Sequence, residues 1–323
     1  MAPRFAQVGG GARPINESVT IAAFGSAFAL HIPTMAKISQ LNVYPIKSCA
    51  GIALDSAHLT AHGLEHDRDW MLVDPEGRFL TQRTLPRLAL VTPELKGGEL
   101  IVRAPGAAPL HTPIDPAELR QAPRREVTVW RSQLPALDAG DAAASWFSSF
   151  LGTPARLVRF DPEAERIASR DWTGEIVAPV RFADGFPLLV IGEASLEALN
   201  ARLVAKGVDA IPMNRFRPNL VLSGTDAYEE DYFESLRTSG PGGAAELRFV
   251  KPCTRCPMPT IDQLTGAPDP RWPNEPTDTL LGYRGNSRMN GAVTFGENAI
   301  VIEGAGATLT IGDAADVELR FED

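Results

Sequence analysis

Between residues 37 and 44 apolar and polar side chains alternate almost one for one, the period-two rhythm of a half-buried β-strand. Short apolar runs recur at 70–73, 89–92, 100–102 and 127–129, and a stretch at 54–59 reads the same way. Turn signals such as Asp74-Pro-Glu-Gly77 and Lys96-Gly-Gly98 separate them. The pattern predicts antiparallel β structure. Two segments change period. Residues 141–151 begin with Asp141, an N-cap residue type, and end at Gly152; residues 193–206 place Leu196, Leu199 and Leu203 at helical spacing ahead of Gly207. Both are expected helices. The charge-mixed stretch 161–175 reads as a linker or crossover. Beyond it, short turn-bounded runs return at 188–191, 220–223, 247–250, 299–302 and 308–311, which predicts a second, barrel-like β domain. The expected fold class is therefore mostly β with a few helices: an N-terminal extension at 1–35, a first β domain at 36–165 and a second at 166–323.

Length and composition agree with two domains and add limits. A chain of 323 residues exceeds what one hydrophobic core usually organises, and its 44% hydrophobic and 22% charged residues exclude disorder as the main state. Thirty-one basic against 40 acidic residues leave a net charge of -9, a poor footprint for nucleic acid or an anionic membrane surface. The apolar stretch 21–30 is shorter than the roughly 20 residues a membrane-spanning helix needs. Ser26-Ala27-Phe28 makes no Ala-x-Ala cleavage site. Three cysteines are too few for a disulfide framework and suit a reducing cytoplasm, the expected location.

The sharpest chemical signal is Lys251-Pro-Cys-Thr-Arg-Cys-Pro257, where prolines force an irregular loop after a strand. A Cys-x-x-Cys pair serves half a zinc site, a dithiol centre or a soft-metal ligand, and it also occurs as two small buried residues. Spacing alone does not choose among these. His58, His62 and His66 recur every four residues, but Gly63 and the strand-like flank make this spacing accidental rather than a metal-binding helix face. Lys47, Ser48, Arg68 and Arg217 lie beside turns. Each reads singly as a surface residue, yet together with a thiol loop they fit a ligand carrying both a phosphate and a soft metal.

Six short motifs occur in this order: Tyr44-Pro-Ile-Lys-Ser-Cys-Ala-Gly51, Asp67-Arg-Asp-Trp70, Thr81-Gln-Arg83, Phe216-Arg-Pro-Asn219, Cys253-Thr-Arg-Cys256 and Phe295-Gly-Glu-Asn298. In that order the chain, from about residue 36 to its end, resembles two-domain MOSC proteins, a MOSC N-terminal β-barrel domain followed by a MOSC domain, similar to the amidoxime-reducing components. The resemblance implies a molybdenum cofactor (Mo-molybdopterin) in a cleft between the domains. Cys256 falls on the position of the family's molybdenum ligand, and Cys253 on the motif's first cysteine, read as structural or as a neighbour supporting that ligand. Lys47, Ser48, Arg68, Arg217 and Asn219 fall on cofactor-contacting positions, as do Thr254 and Asn298, with Arg83, Gly185 and Phe186 as neighbours. The implied reaction is reduction of small N-hydroxylated compounds to amines or amidines. Asp262, six residues past Cys256, is a candidate proton donor, although it reads more readily as a turn-forming carboxylate. Three cysteines cannot hold an iron–sulfur cluster as well, and no dinucleotide-binding fingerprint is visible. Electrons are therefore expected from a separate reductase or carrier protein. Two alternatives are a sulfur or molybdenum-cofactor carrier that uses Cys256, and a non-catalytic binder of another phosphate-bearing molecule.

Overall fold

The computed structural model describes residues 36–119 and 121–320, so the N-terminal extension expected at 1–35 lies outside the described residues. Seven strands close into a barrel. Their order is Leu188–Gly192, Leu220–Ser223, Ala36–Val43, Ala314–Leu319, Phe233–Gly240, Gly243–Thr254 and Ala292–Glu303. Pairing of Leu188 with Ala299 then returns the sheet to its first strand. Closure leaves no unpaired edge on these strands. The barrel thus recruits the first described strand from far upstream in the chain, where it pairs with Leu220–Ser223 on one side and Ala314–Leu319 on the other.

Alternation along Ala36–Val43 explains its place. Ala36, Ile38, Leu41 and Val43 are buried, and the step from Ile38 to Leu41 skips one beat because the register shifts between Ile38 and Gln40. That irregularity returns Leu41 and Val43 to the inner face. They meet Leu188, Val190, Leu220, Leu222, Leu247 and Phe249 in one apolar core. The helix Glu193–Ala205 covers the barrel from outside, with Leu199 and Leu203 packed on Ile191, Phe216 and Phe295.

A second layer is built from the strands Trp70–Val73, Arg156–Phe160, Ser132–Asp138 and Arg124–Val129. All four residues of Trp70–Val73 are buried. Trp70 and Leu72 face the core shared with the helix Asp141–Leu151, whereas Met71 and Val73 face a separate core with Val127, Val158 and Phe182. A continuous apolar run buried on both faces is what such a strand requires.

Both expected helices form, although Gly140 is the N-cap of the first and Asp141 is already its first residue. The apolar run at 89–92 is not one strand. Pro86 opens a 3-10 turn, Pro86–Leu90, that buries Leu88 and Ala89, and the strand begins only at Thr92. Among the described residues no helix is long and apolar enough to cross a membrane.

Candidate functional site

The ends of several barrel strands converge on one cleft. The loop after Ala36–Val43 brings Lys47 and Ser48, and the segment before Trp70 brings Arg68. The turn ahead of Leu188–Gly192 carries Asp184, Gly185 and Phe186, and the turn ahead of Leu220–Ser223 carries Arg215, Arg217 and Asn219. The loop after Gly243–Thr254 carries Cys256. Together with Arg83, Cys253, Thr254, Arg255 and Asn298 these residues line a cleft that opens to solvent. Of the candidate residues named from the sequence, Asp262 alone does not line it.

The cleft is electropositive in an acidic protein. Among the described residues six cationic side chains line it, Lys47, Arg68, Arg83, Arg215, Arg217 and Arg255, against the single carboxylate of Asp184. Their arrangement is built around Tyr44. Its ring lies 4.3 Å from the Arg68 guanidinium and 4.2 Å from that of Arg217, and its hydroxyl donates to the Pro218 carbonyl at 3.2 Å. Two like charges are thus held on one aromatic ring, whose π surface attracts cations. Asp67 accepts from Arg68 at 2.5 and 2.7 Å and fixes that guanidinium further.

Arg217 Nη1 donates to the Cys49 carbonyl at 2.6 Å, while Nη2 is buried with no partner. Burial, then the neighbouring Arg68, lowers the Arg217 pKa to about 10. An orphaned buried donor of this kind fits an anionic group such as a phosphate, which would accept the missing hydrogen bond. Backbone strain accumulates at the same place. Ser48, Arg68 and Arg217 adopt φ of 66°, 51° and 59°, a left-handed region that costs a non-glycine residue about 1–2 kcal/mol each. Such strain persists where surrounding structure enforces it, most often at functional sites.

Lys47 is buried, donating to the Phe182 carbonyl at 2.8 Å and to Asp184 Oδ1 at 2.5 Å; burial lowers its pKa and Asp184 opposes the shift. Ser48 is positioned through its carbonyl, which accepts from Gln82 Nε2 at 2.7 Å. Asn219 is engaged at both amide atoms: Oδ1 accepts from Leu189 N–H and Arg68 Nη1, and Nδ2 donates to the Asn42 carbonyl. Asn298 Nδ2 donates to the Lys251 carbonyl at 3.1 Å. These amides hold strands together at the cleft wall.

The two loop thiols differ in setting. Cys253 packs against the core beneath the helix Glu193–Ala205, and burial raises its pKa. Cys256 is half-buried in the cleft lining and belongs to no apolar cluster. Between them Arg255 anchors the loop by donating to the carbonyls of Phe216, at 3.0 Å, and Phe295. A thiol that faces open space in the cleft is placed to reach a bound group. Among the described residues no cluster of three or more His, Cys, Asp or Glu side chains could hold a metal by itself, so a metal here would need ligands supplied by a cofactor.

Asp262 lies elsewhere. Its Oδ1 accepts the Leu264 and Thr265 N–H groups at 2.8 and 2.9 Å, and its Oδ2 accepts from Arg215 Nη2 at 2.7 Å. Burial raises its pKa, but the two backbone bonds and Arg215 outweigh that and hold it below the usual carboxylate range. The histidine series is dispersed. His58 sits on a strand bonded to Thr308, and His66 pairs with Asp69. Tyr44, Gln82, Asp184, Arg215 and Arg255 were not singled out from the sequence. Tyr44, Gln82 and Arg255 fall inside the quoted motifs, so their order in the chain held the only signal.

Residues 35–154 match the family model for the MOSC N-terminal beta barrel domain, and residues 178–316 match that for the MOSC domain. Mitochondrial amidoxime reducing component 2 of Bos taurus is 36% identical over 255 residues, covering 76% of this chain and 72% of the relative. Mitochondrial amidoxime-reducing component 1 of Homo sapiens is 33% identical over 288 residues, covering 85% and 81%. Molybdenum cofactor sulfurase of Bos taurus is 30% identical over 243 residues, which span 71% of this chain and 27% of that protein.

Proposed function

The chain belongs to the MOSC family, in its two-domain form with relatives among the amidoxime-reducing components, and from that premise we propose that it is a molybdenum-cofactor-dependent reductase of small N-hydroxylated compounds. The observation that carries this reading is the pairing of a cleft-facing Cys256 with an orphaned, buried Arg217 donor in one cationic cleft. A thiolate suits a soft, sulfur-bound metal, and the guanidinium suits the cofactor's phosphate.

When bound, the cofactor would supply two-electron chemistry that accepts oxygen from substrate. The overall reaction balances as hydroxylamine plus two electrons and two protons giving amine and water. Cys256 would hold the metal, and Arg217, Arg68 and Lys47 would hold the phosphate and pterin. Tyr44 keeps the two arginines in place for a cofactor they both face, and Gln82 does the same for Ser48 through its carbonyl. Arg255 fixes the ligand loop, so the thiol does not have to be ordered on binding. Electrons come from a separate donor protein.

The test is to purify the chain with its cofactor, measure molybdenum and pterin, and assay amidoxime reduction with a chemical electron donor. Cys256→Ser abolishes turnover and weakens metal retention, whereas Cys253→Ser, a packing thiol, is milder. Equal loss in both variants overturns the assignment of the ligand. A persulfide on Cys256 in protein free of molybdenum shows a sulfur carrier instead.

A further inference from the structure

Trp130 has no role in the site described above, yet everything around it points there. It is the first residue of the two-residue turn joining Arg124–Val129 to Ser132–Asp138. Its φ is 55°, in the left-handed region where turns favour Asn, Asp or Gly and where a bulky residue is an outlier. The side chain is 45% exposed, although Trp is the largest apolar group available. Three contacts hold it still. Nε1 donates to Asp184 Oδ1 at 3.0 Å, the Arg83 guanidinium lies 4.7 Å from the ring, and Phe79 packs at 5.2 Å with its plane tilted by 54°. Asp184 and Arg83 both line the cleft, and Lys47 donates to the same Asp184 oxygen.

A turn whose only task was to join two strands would be more stable with Asn or Gly at this position, and would leave no indole in water. What an immobilised, half-open indole provides is a flat surface. We propose that Trp130 is a specificity residue at the edge of the cleft, a stacking platform that selects N-hydroxylated substrates carrying an aromatic or heteroaromatic ring over aliphatic ones. The inference rests on the reductase reading and names the substrate class for it. Aromatic stacking is sequence- and substituent-tolerant because every flat π system has a face to offer, so the platform selects a shape and not one compound. Arg83 and Asp184 keep the ring oriented and do not themselves require an aromatic substrate.

The experiment compares the cofactor-loaded wild type, Trp130→Ala and Trp130→Phe on benzamidoxime and acetamidoxime with a chemical electron donor. Removing the ring raises KM for benzamidoxime about tenfold with little change in kcat, leaves acetamidoxime within about twofold, and Phe restores most of the loss. Melting temperature and molybdenum content in each variant separate this from a folding defect. An unchanged ratio of the two KM values in Trp130→Ala overturns the platform, as does an equal loss on both substrates. Binding of benzamidine to the same loaded proteins, followed by calorimetry, isolates the platform from turnover. If the wild type reduces neither amidoxime, the reductase reading fails. The platform then stands if benzamidine binding is lost in Ala and kept in Phe, and falls if binding is unchanged.

Discussion

Arg217 and Glu297 are both buried, and both end in groups without a hydrogen-bond partner, but they answer that condition in opposite ways. Arg217 is 8% exposed, keeps one donor on the Cys49 carbonyl and leaves the other orphaned beside open space. Glu297 is 0% exposed on the barrel strand Ala292–Glu303, opposite Val190 and Pro252, with both carboxyl oxygens unpartnered and no place in the cleft lining. Burial pushes its carboxyl up to about 9, so at neutral pH it is protonated. A carboxyl can escape the cost of an unpaired buried charge by keeping its proton; a guanidinium cannot. The orphaned cation beside open space therefore fits an anionic ligand, and the orphaned acid fits neutrality.

The sharpest way to break this contrast is Arg217→Gln. Loss of a charge-assisted contact to phosphate weakens cofactor retention by about 3 kcal/mol, roughly a hundredfold, measured as molybdenum and pterin per protein after dialysis. The cofactor-free protein gains thermal stability, because a buried, incompletely paired cation has been removed. Retention unchanged in Arg217→Gln means that the anion is held elsewhere.

Glu297→Gln tests the other half. Because the folded pKa of about 9 lies above the ordinary 4.5, stability contributed by the protonated carboxyl is full below about pH 4.5 and is lost as pH rises toward 9. The slope is up to about 1.4 kcal/mol per pH unit. The Gln variant, which cannot ionise, matches wild type near pH 5 and becomes the more stable by a few kcal/mol at pH 8, read from urea melts at both values. A pH-independent difference means that Glu297 does not stay protonated.

Neither residue's setting was legible in the sequence, although both lie in motifs that were. Phe216-Arg-Pro-Asn219 and Phe295-Gly-Glu-Asn298 marked the cleft positions Arg217, Asn219 and Asn298, because short motifs in a fixed order survive without any knowledge of depth. Burial of Glu297 follows from barrel closure, the pairing of Leu188–Gly192 with Ala292–Glu303, which joins segments about a hundred residues apart that no local period announces. Local rhythm did identify the helix Asp141–Leu151 and the strand Trp70–Val73, where pattern and packing coincide. It failed at 89–92, where Pro86 imposed a 3-10 turn on an apolar run.

A smaller perturbation sharpens the comparison from the second contact layer around Arg217. A Cβ added at Gly51 would lie 2.5 Å from Tyr44 Cε1, and that ring carries both Arg68 and Arg217. Gly51→Ala is expected to cost about 1–3 kcal/mol of stability through overpacking and to reduce cofactor retention several-fold. If it lowers the melting temperature while retention stays at the wild-type level, Tyr44 supports the fold and not the spacing of the two guanidiniums.

Asp262 stands between the two cases, a carboxylate that is partly buried but fully partnered by Arg215 and by the turn it closes. A group held below the usual carboxylate range stays ionised through the working pH, and a proton donor must carry its proton there. Asp262→Asn keeps an oxygen for the turn and gives up only the charge facing Arg215. It is expected to cost about 1–2 kcal/mol of stability, lost in wild type as well when acid protonates the carboxylate, and to leave kcat within about twofold at every pH. A tenfold fall in kcat accompanied by disappearance of one limb of the pH profile would instead place the proton on Asp262, and would require the turn to open during turnover.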